Sequence, residues 1–381
     1  MKLRQIYTKK LMDNLRKQAK GRRRFQFRQL IRYLANEELI KEVYQELPSS
    51  SRKRFAPIRV TQLSRNVYSS KYRPRPPKPK LIPKADGTMR KIFVPIIPDL
   101  ILQKSAALIL DSIFDDSFVD WSHAYRRDKG PKKALINLWN QLLSGRYKAI
   151  LLIDIEGCFD NIDHGHLFGF LETRIKDQKF LQMLRIWCET RSQAVDQFGI
   201  GIPQGLPISP VLMNLYLHNA LDSYLDGISL VLGGPNPPQF IRYADDIIGL
   251  FCDDASLSSF LPLLKERLSI FNLKPNAKKT RIHVVSSPLN DEVAFDFLGL
   301  RHELTGNPPS WKRRTSTANL IRLQRRSREI AMDASLPVDK KLKILNSMEQ
   351  NHIHYFDHAG NNCIDLARQI VEHARSLCTG P

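Results

Sequence analysis

Two aspartates stand side by side in Tyr243-Ala244-Asp245-Asp246. Short apolar runs flank them, Phe240-Ile241 before and Ile247-Ile248-Gly249-Leu250-Phe251 after. That is the pattern of a hairpin with two carboxylates at its tip. Neighbouring carboxylates repel, so such a tip calls for a cation. Oxygen-only donors suit Mg²⁺, or Mn²⁺, better than zinc. An acidic hairpin tip alone is usually a solvated turn. A second acid upstream changes the reading: the apolar run Ala149-Ile150-Leu151-Leu152-Ile153 ends on Asp154. A buried strand that delivers an aspartate beside a carboxylate hairpin can build a site for two metal ions about 3.5–4 Å apart. One ion activates an attacking hydroxyl and the other stabilises the leaving phosphate oxygens. Asp154 and Asp245 are then the bridging ligands, and Asp246 is a secondary ligand or a tuning charge.

The elements that must position these acids can be read around them. Residues 148–154 form a strand and 238–252 the hairpin, with helices expected over 163–187, 208–225 and 257–271. Between them lies Pro203-Gln204-Gly205-Leu206-Pro207-Ile208-Ser209-Pro210. Gly205 allows close backbone approach, and the Gln204 amide can contact a sugar or base. Ser209 and Pro210 read as the N-cap and first residue of the following helix. Upstream, residues 81–95 read as a hairpin turning at Asp86-Gly87. Helices follow over 99–115 and from about Lys132 to Leu143, separated by the polar loop 122–130. The pattern is helical again from about residue 312 to the end. Asp160, Asp163, Asp253 and Asp254 read as caps or solvated turns, and His352, His354 and His358 as surface or core histidines.

Asp154 with Phe159 five residues on, Pro203 to Pro210, Arg242-Tyr243-Ala244-Asp245-Asp246, Lys278-Lys279-Thr280 and Phe297-Leu298-Gly299-Leu300 occur in that order. Over about residues 76–300 the chain thus resembles reverse transcriptases, most closely the bacterial kind similar to group II intron proteins. The resemblance implies an α+β right-hand polymerase fold: fingers and palm over 76–303, a helical thumb over 304–381, and a basic helical extension over 1–75. It implies RNA-directed DNA synthesis from deoxynucleoside triphosphates, with an RNA template and a DNA product. It further implies the Ile155 carbonyl as a metal ligand and Phe159 as the gate against a 2′-hydroxyl. Lys84 and Arg90 would face the triphosphate, although the strand pattern leaves open whether Arg90 or Lys91 points inward. Lys279 would act as a general acid near the leaving pyrophosphate. Phe297, Leu298 and Gly299 would form the primer grip.

Net charge is +21 over 381 residues. Residues 1–80 hold 23 Lys/Arg against 5 Asp/Glu, a balance of +18. That concentration, with Arg22, Arg23 and Arg24 beside Phe25 and Phe27, suits phosphate contact together with stacking. Arg322, Arg325 and Arg326 share one helix face and could track a duplex backbone. Ser49-Ser50-Ser51 and residues 74–80, rich in proline, read as linkers. No apolar run is long enough to span a bilayer, the N-terminus has no secretory core, and five scattered cysteines form no CxxC pair. A cytoplasmic protein is expected, of unspecified oligomeric state. The 80 or so residues after the primer grip leave room for a thumb, not for an added nuclease. Leu304-Thr305-Gly306 is a poor match to the Val-Thr-Gly element of retron enzymes. The reading that follows is an enzyme copying a dedicated noncoding RNA in antiphage defence. The alternatives are a diversity-generating or group II intron-like retroelement enzyme, an RNA-dependent RNA polymerase, which Phe159 opposes, and an inactive RNA-binding protein, which the intact acids oppose.

Overall fold

The computed structural model describes residues 2–379 apart from 23–24, 54, 56–57, 84–87, 190–197, 233, 235, 286–291, 307 and 361. It opens with five helices: α1 (Lys2–Ala19), α2 (Leu30–Leu34), α3 (Glu37–Glu46), α4 (Ser49–Lys53) and α5 (Ile58–Tyr68). The start of α3 shows why they form. Asn36 caps it by accepting from the Leu39 N–H at 2.9 Å, Glu37 and Glu38 favour the positive helix end, and Leu39, Ile40 and Val43 turn inward. Ser49-Ser50-Ser51 is thus not a linker but the first part of a short helix.

Strands β1 (Lys78–Pro83) and β2 (Met89–Val94) form an antiparallel ribbon. Helix α6 (Ile97–Phe114) follows and is buried on most sides; a helix apolar all round belongs at the centre of a core. After α7 (Pro131–Leu143) comes β3 (Ala149–Asp154), then α8 (Cys158–Asn161), α9 (His164–Glu172) and α10 (Gln178–Glu189). The helix expected over 163–187 is thus broken near 173–177. There Asp177 accepts from the Phe180 N–H at 3.1 Å and from the Ile31 N–H at 2.8 Å. One carboxylate serves the start of α10 and of α2.

Helix α11 (Ser209–Leu217) runs through a π-helical turn, His218–Asp222, into α12 (Ser223–Leu232). Strands β4 (Gln239–Tyr243) and β5 (Asp246–Phe251) form the acidic hairpin, followed by α13 (Asp254–Ile270) and β6 (Arg281–Val284). The sheet order is β4-β5-β3-β6, antiparallel throughout. A second sheet, β7 (Val293–Phe297), β8 (Leu300–Thr305) and β9 (Ser310–Thr315), carries the chain to helices α14 (Thr317–Met332), α15 (Val338–Phe356) and α16 (Asn362–Thr379). The helical pattern expected from about residue 312 begins later, because residues 310–315 alternate in exposure and pair as a strand.

One hydrophobic core runs from Met12 and Leu15 through Leu30, Leu34 and Ile109 to Phe180, Ile153 and Leu273. The N-terminal helices therefore share a core with the palm. Phe27 pairs in parallel with Ile175. The buried Arg174 guanidinium donates to the carbonyls of Ile113, Ala19 and Arg22. Ala331, Leu345, Val371 and Ala374 form a separate small core among the last three helices.

Candidate active site

The hairpin tip is set by a buried guanidinium. Arg242 gives Nε to Asp222 Oδ1 at 2.8 Å and Nη2 to Oδ2 at 2.5 Å. Both side chains are fully buried. Burial pushes the Asp222 carboxyl up, against the pull of Arg242. Nη1 reaches Asn214 Oδ1 at 3.1 Å and the Ala244 carbonyl at 3.0 Å. Ala244 has φ +60°, a left-handed conformation that alanine does not favour. The bond from Arg242 holds the turn in that shape. The π-helical turn supplies Asp222 at its end; π-bulges often occur at functional sites because they re-aim a side chain.

Asp154 lies directly opposite Asp246 across β3 and β5, so the two side chains share a sheet face. The Ile155 N–H donates to the Asp245 carbonyl at 3.3 Å, which fixes Asp245 beside them. Burial pushes the Asp245 carboxyl up and the Asp154 charge adds to this, against Lys279 and Arg90. Asp246 is exposed at the rim, yet partial desolvation, Asp245 and Asp154 push it to about 7. Lys279 Nζ sits 2.6 Å from Asp154 Oδ1, which raises the lysine's own pKa. An Asn276-centred turn places it: the Asn276 N–H donates to the Asp154 carbonyl at 2.7 Å, and the Asn276 carbonyl accepts from the Lys279 N–H at 3.1 Å.

These acids close one end of a cleft of about 710 Å³ lined by Arg90, Lys91, Asp154, Ile155, Phe159, Gln204, Asp245 and Lys279, among others. Arg90 is exposed and carries its charge to Asp245, whereas the Lys91 ammonium lies over the Phe93 ring at 5.4 Å. The Gln204 carbonyl accepts from the Phe93 N–H at 2.7 Å. Gly205 has φ +96°, and a Cβ there would meet the Phe93 carbonyl oxygen at 2.9 Å. The 203–210 loop is thus docked on the fingers strand at a spot only glycine fits. Ser209 does not cap its helix as expected; its hydroxyl donates back to the Pro203 carbonyl at 2.6 Å. Phe159 is partly buried against the core, and its carbonyl accepts from the Ile202 N–H at 2.8 Å.

The other candidates lie further out. Lys84, Arg23 and Arg24 fall outside the described residues, and Arg22 is exposed. Phe297 is buried at the end of β7, and Leu298 and Gly299 form a tight turn with φ +48° and +83°. Tyr355 donates to the Leu298 carbonyl at 3.2 Å. Arg322, Arg325 and Arg326 are exposed on α14, and Arg325 makes a long ion pair with Glu329 at 3.8 Å. Asp163 and Asp253 cap α9 and α13. Sequence reading missed Asp222, Asn214 and Asn276. An acid and an amide inside the apolar run 211–225 were the available signal for the first two.

Among the described residues, no three His, Cys, Asp or Glu side chains converge into a ready metal cage. The donor set still fits a hard divalent cation. Asp154 helps to raise the pKa of both Asp245 and Asp246, and a lysine ammonium already seeks Asp154. Mg²⁺ is commonly held by one or two carboxylates and completed by substrate phosphates rather than by an all-protein cage.

An antiparallel sheet bearing these acids, a fingers ribbon docked on its loop and a three-helix thumb make the right-hand polymerase fold. The reverse transcriptase (RNA-dependent DNA polymerase) family matches residues 82–302, more than half of the chain, and the chain belongs to that family. It is similar to the group II intron-encoded protein LtrA of Lactococcus lactis subsp. cremoris, 28% identical over 228 residues, 56% of this chain and 38% of LtrA. Protein YkfC of Escherichia coli is 28% identical over 177 residues, 44% of this chain and 45% of its own. The chain thus spans less than half the length of either relative. Telomerase from Candida albicans superposes with a TM-score of 0.46 at 14% identity, covering 85% of this chain and 58% of that one. Among the described residues no helix is long and apolar enough to cross a membrane.

Proposed function

We propose that this chain is an RNA-directed DNA polymerase that adds deoxynucleotides to a primer 3′-hydroxyl. The observation that carries the reading is Asp154 opposite Asp246, with Asp245 fixed beside them at the foot of a cleft under the fingers strand. Two Mg²⁺ ions, or Mn²⁺ in their place, would acidify the attacking hydroxyl and neutralise the leaving phosphates when bound. Asp154, Asp245 and the Ile155 carbonyl would hold them, with Asp246 as an outer ligand. Arg90 and Lys84 neutralise triphosphate charge. Lys279 Nζ, now on Asp154, would donate a proton to the leaving pyrophosphate. Phe159 packs below the sugar and excludes a 2′-hydroxyl, while Gln204 and Gly205 approach the nucleotide.

The finer reading is a template that is one dedicated noncoding RNA, in an antiphage role, gripped by the basic N-terminal helices and by Arg322, Arg325 and Arg326. Likeness to LtrA over 228 residues favours a second reading, a group II intron-type retroelement enzyme. Asp154→Asn and Asp245→Asn should abolish primer extension on an RNA template without lowering the melting temperature. Near-normal extension by either purified variant would sink the polymerase site. Sequencing the RNA that copurifies decides between one dominant species and a mixed cellular population.

A further inference from the structure

Six residues other than glycine have positive φ among those described: Ser70, Tyr125, Asp128, Ala244, Asn272 and Leu298. Asp and Asn accept this conformation through local hydrogen bonds; a bulky ring in it is an outlier that needs a reason. Ala244 and Leu298 belong to the catalytic turn and the primer-grip turn. Tyr125, with φ +54°, belongs to neither motif.

Its neighbours are pinned on both sides. The Ala124 carbonyl accepts from Asn214 Nδ2 at 2.7 Å, and Ala124 is wholly buried. Asn214 is also held by Arg242. Arg126 donates to Asp115 Oδ1 at 2.7 Å and to the carbonyls of Val119, Ser122 and Asp115 at 2.6, 2.8 and 2.8 Å. Tyr125 itself is 53% exposed. The anchors are core, and the ring is not. Strain of this sort persists only where the surroundings over-determine it, and it gathers at functional sites.

Backbone contacts place Tyr125 near the acidic turn. Ser122 pairs in parallel with Arg242 and the His123 N–H donates to the Arg242 carbonyl at 2.9 Å, while Asn214 joins the Ala124 carbonyl to Arg242, which holds the Ala244 carbonyl beside Asp245. Burial first, and then the Asp245 charge, push the Tyr125 phenol up, against the pull of Arg90. At the primer-grip turn the Tyr355 hydroxyl donates to the Leu298 carbonyl at 3.2 Å.

We propose that Tyr125 is a substrate-contacting residue whose ring packs on the nascent base pair beside the primer end. This rests on the polymerase reading of the cleft. Every base has a π-face, so a rigidly held, exposed aromatic ring serves all four nucleotides.

Three variants test it. Tyr125→Phe keeps the ring and should leave the nucleotide KM within about twofold. Tyr125→Asn and Tyr125→Gly accept the left-handed backbone but lose the ring, so KM should rise about tenfold or more with no loss of melting temperature. An unchanged KM in Tyr125→Gly, or a melting temperature lowered by several degrees in both ring-less variants, overturns the proposal. A second readout needs no synthesis: 5-iododeoxyuridine at the primer 3′ end of a primer–template, irradiated and peptide-mapped. A crosslink to the peptide holding Tyr125, absent in Tyr125→Gly, supports the contact even if the wild type extends no primer, a result that would fail the polymerase reading alone. Crosslinks confined to other peptides overturn it.

Discussion

Asp222→Leu and Arg242→Met each remove one half of an ion pair in which both side chains are fully buried. The survivor is left as an uncompensated charge in the core, at a cost of about 3–5 kcal/mol. A domain is stable by about 5–15 kcal/mol, so either variant should lose a fifth or more of the whole and unfold at clearly lower urea. The double variant, Arg242→Met with Asp222→Leu, removes both charges. Apolar replacement of a buried pair is often near neutral, but Asn214 and the Ala244 carbonyl lose their donor, at about 1–3 kcal/mol. Stability should therefore return in large part, with a coupling of at least about 3 kcal/mol in the double-mutant cycle. The synthesis rate should not return. Ala244 keeps its left-handed turn through that donor, and a shift of about 1 Å in a reacting group can cost about a hundredfold. Urea unfolding and single-turnover primer extension would be measured on all four proteins. Single variants within about 1 kcal/mol of wild type, or a double variant at full rate, would refute the claim that Arg242 positions the turn.

Gly205→Ala should lower stability by about 1–3 kcal/mol through overpacking and slow nucleotide addition, because its Cβ would meet backbone at 2.9 Å; a thermal melt and extension assay read both, and a wild-type-like variant would unseat the docking of this loop on the fingers. Phe159→Val should let ribonucleotides compete with deoxynucleotides, measured as the ratio of kcat/KM values; an unchanged ratio in an active variant returns Phe159 to a core role. Reversing the exposed Lys9, Lys10, Lys20 and Arg22 to glutamate should keep the fold and flatten the salt dependence of RNA binding, by about 0.7–0.9 in log–log slope for each phosphate the protein no longer neutralises. Equal slopes would place the RNA elsewhere.

The acids were legible because their chemistry repeats in their neighbours. A strand that is apolar to its last residue announces where Asp154 emerges, and the buried runs of β4 and β5 flank a two-residue tip. Gly205 was legible as a close approach, but not what approaches it, since the contact with Phe93 joins residues more than a hundred positions apart. Asp222, Asn214 and Asn276 were not legible for a related reason. A buried polar residue declares only that it needs a partner, and the identity of that partner lies in the tertiary fold. The breaks inside 163–187 and 208–225 escaped because apolar periodicity continues through them; a side chain, Asp177, and a π-helical turn decide the local geometry there.

Charge misled where it was densest. A balance of +18 in the first 80 residues reads as a basic helical extension beside a near-neutral body, yet Leu15, Leu30, Leu34, Leu39 and Ile40 are wholly or almost wholly buried in the core that holds Ile153. The two observations are compatible because a helix shows one face to the core and the other to water. A segment can therefore be strongly basic in composition and structural in packing, and cutting it away would confuse the two. Such a deletion exposes the apolar flank of α6, so weaker RNA binding would follow from unfolding whether or not those helices touch RNA. Only substitutions confined to the solvent face separate the charge from the core. That is why exposed Lys9, Lys10, Lys20 and Arg22, rather than the whole segment, are the residues to change.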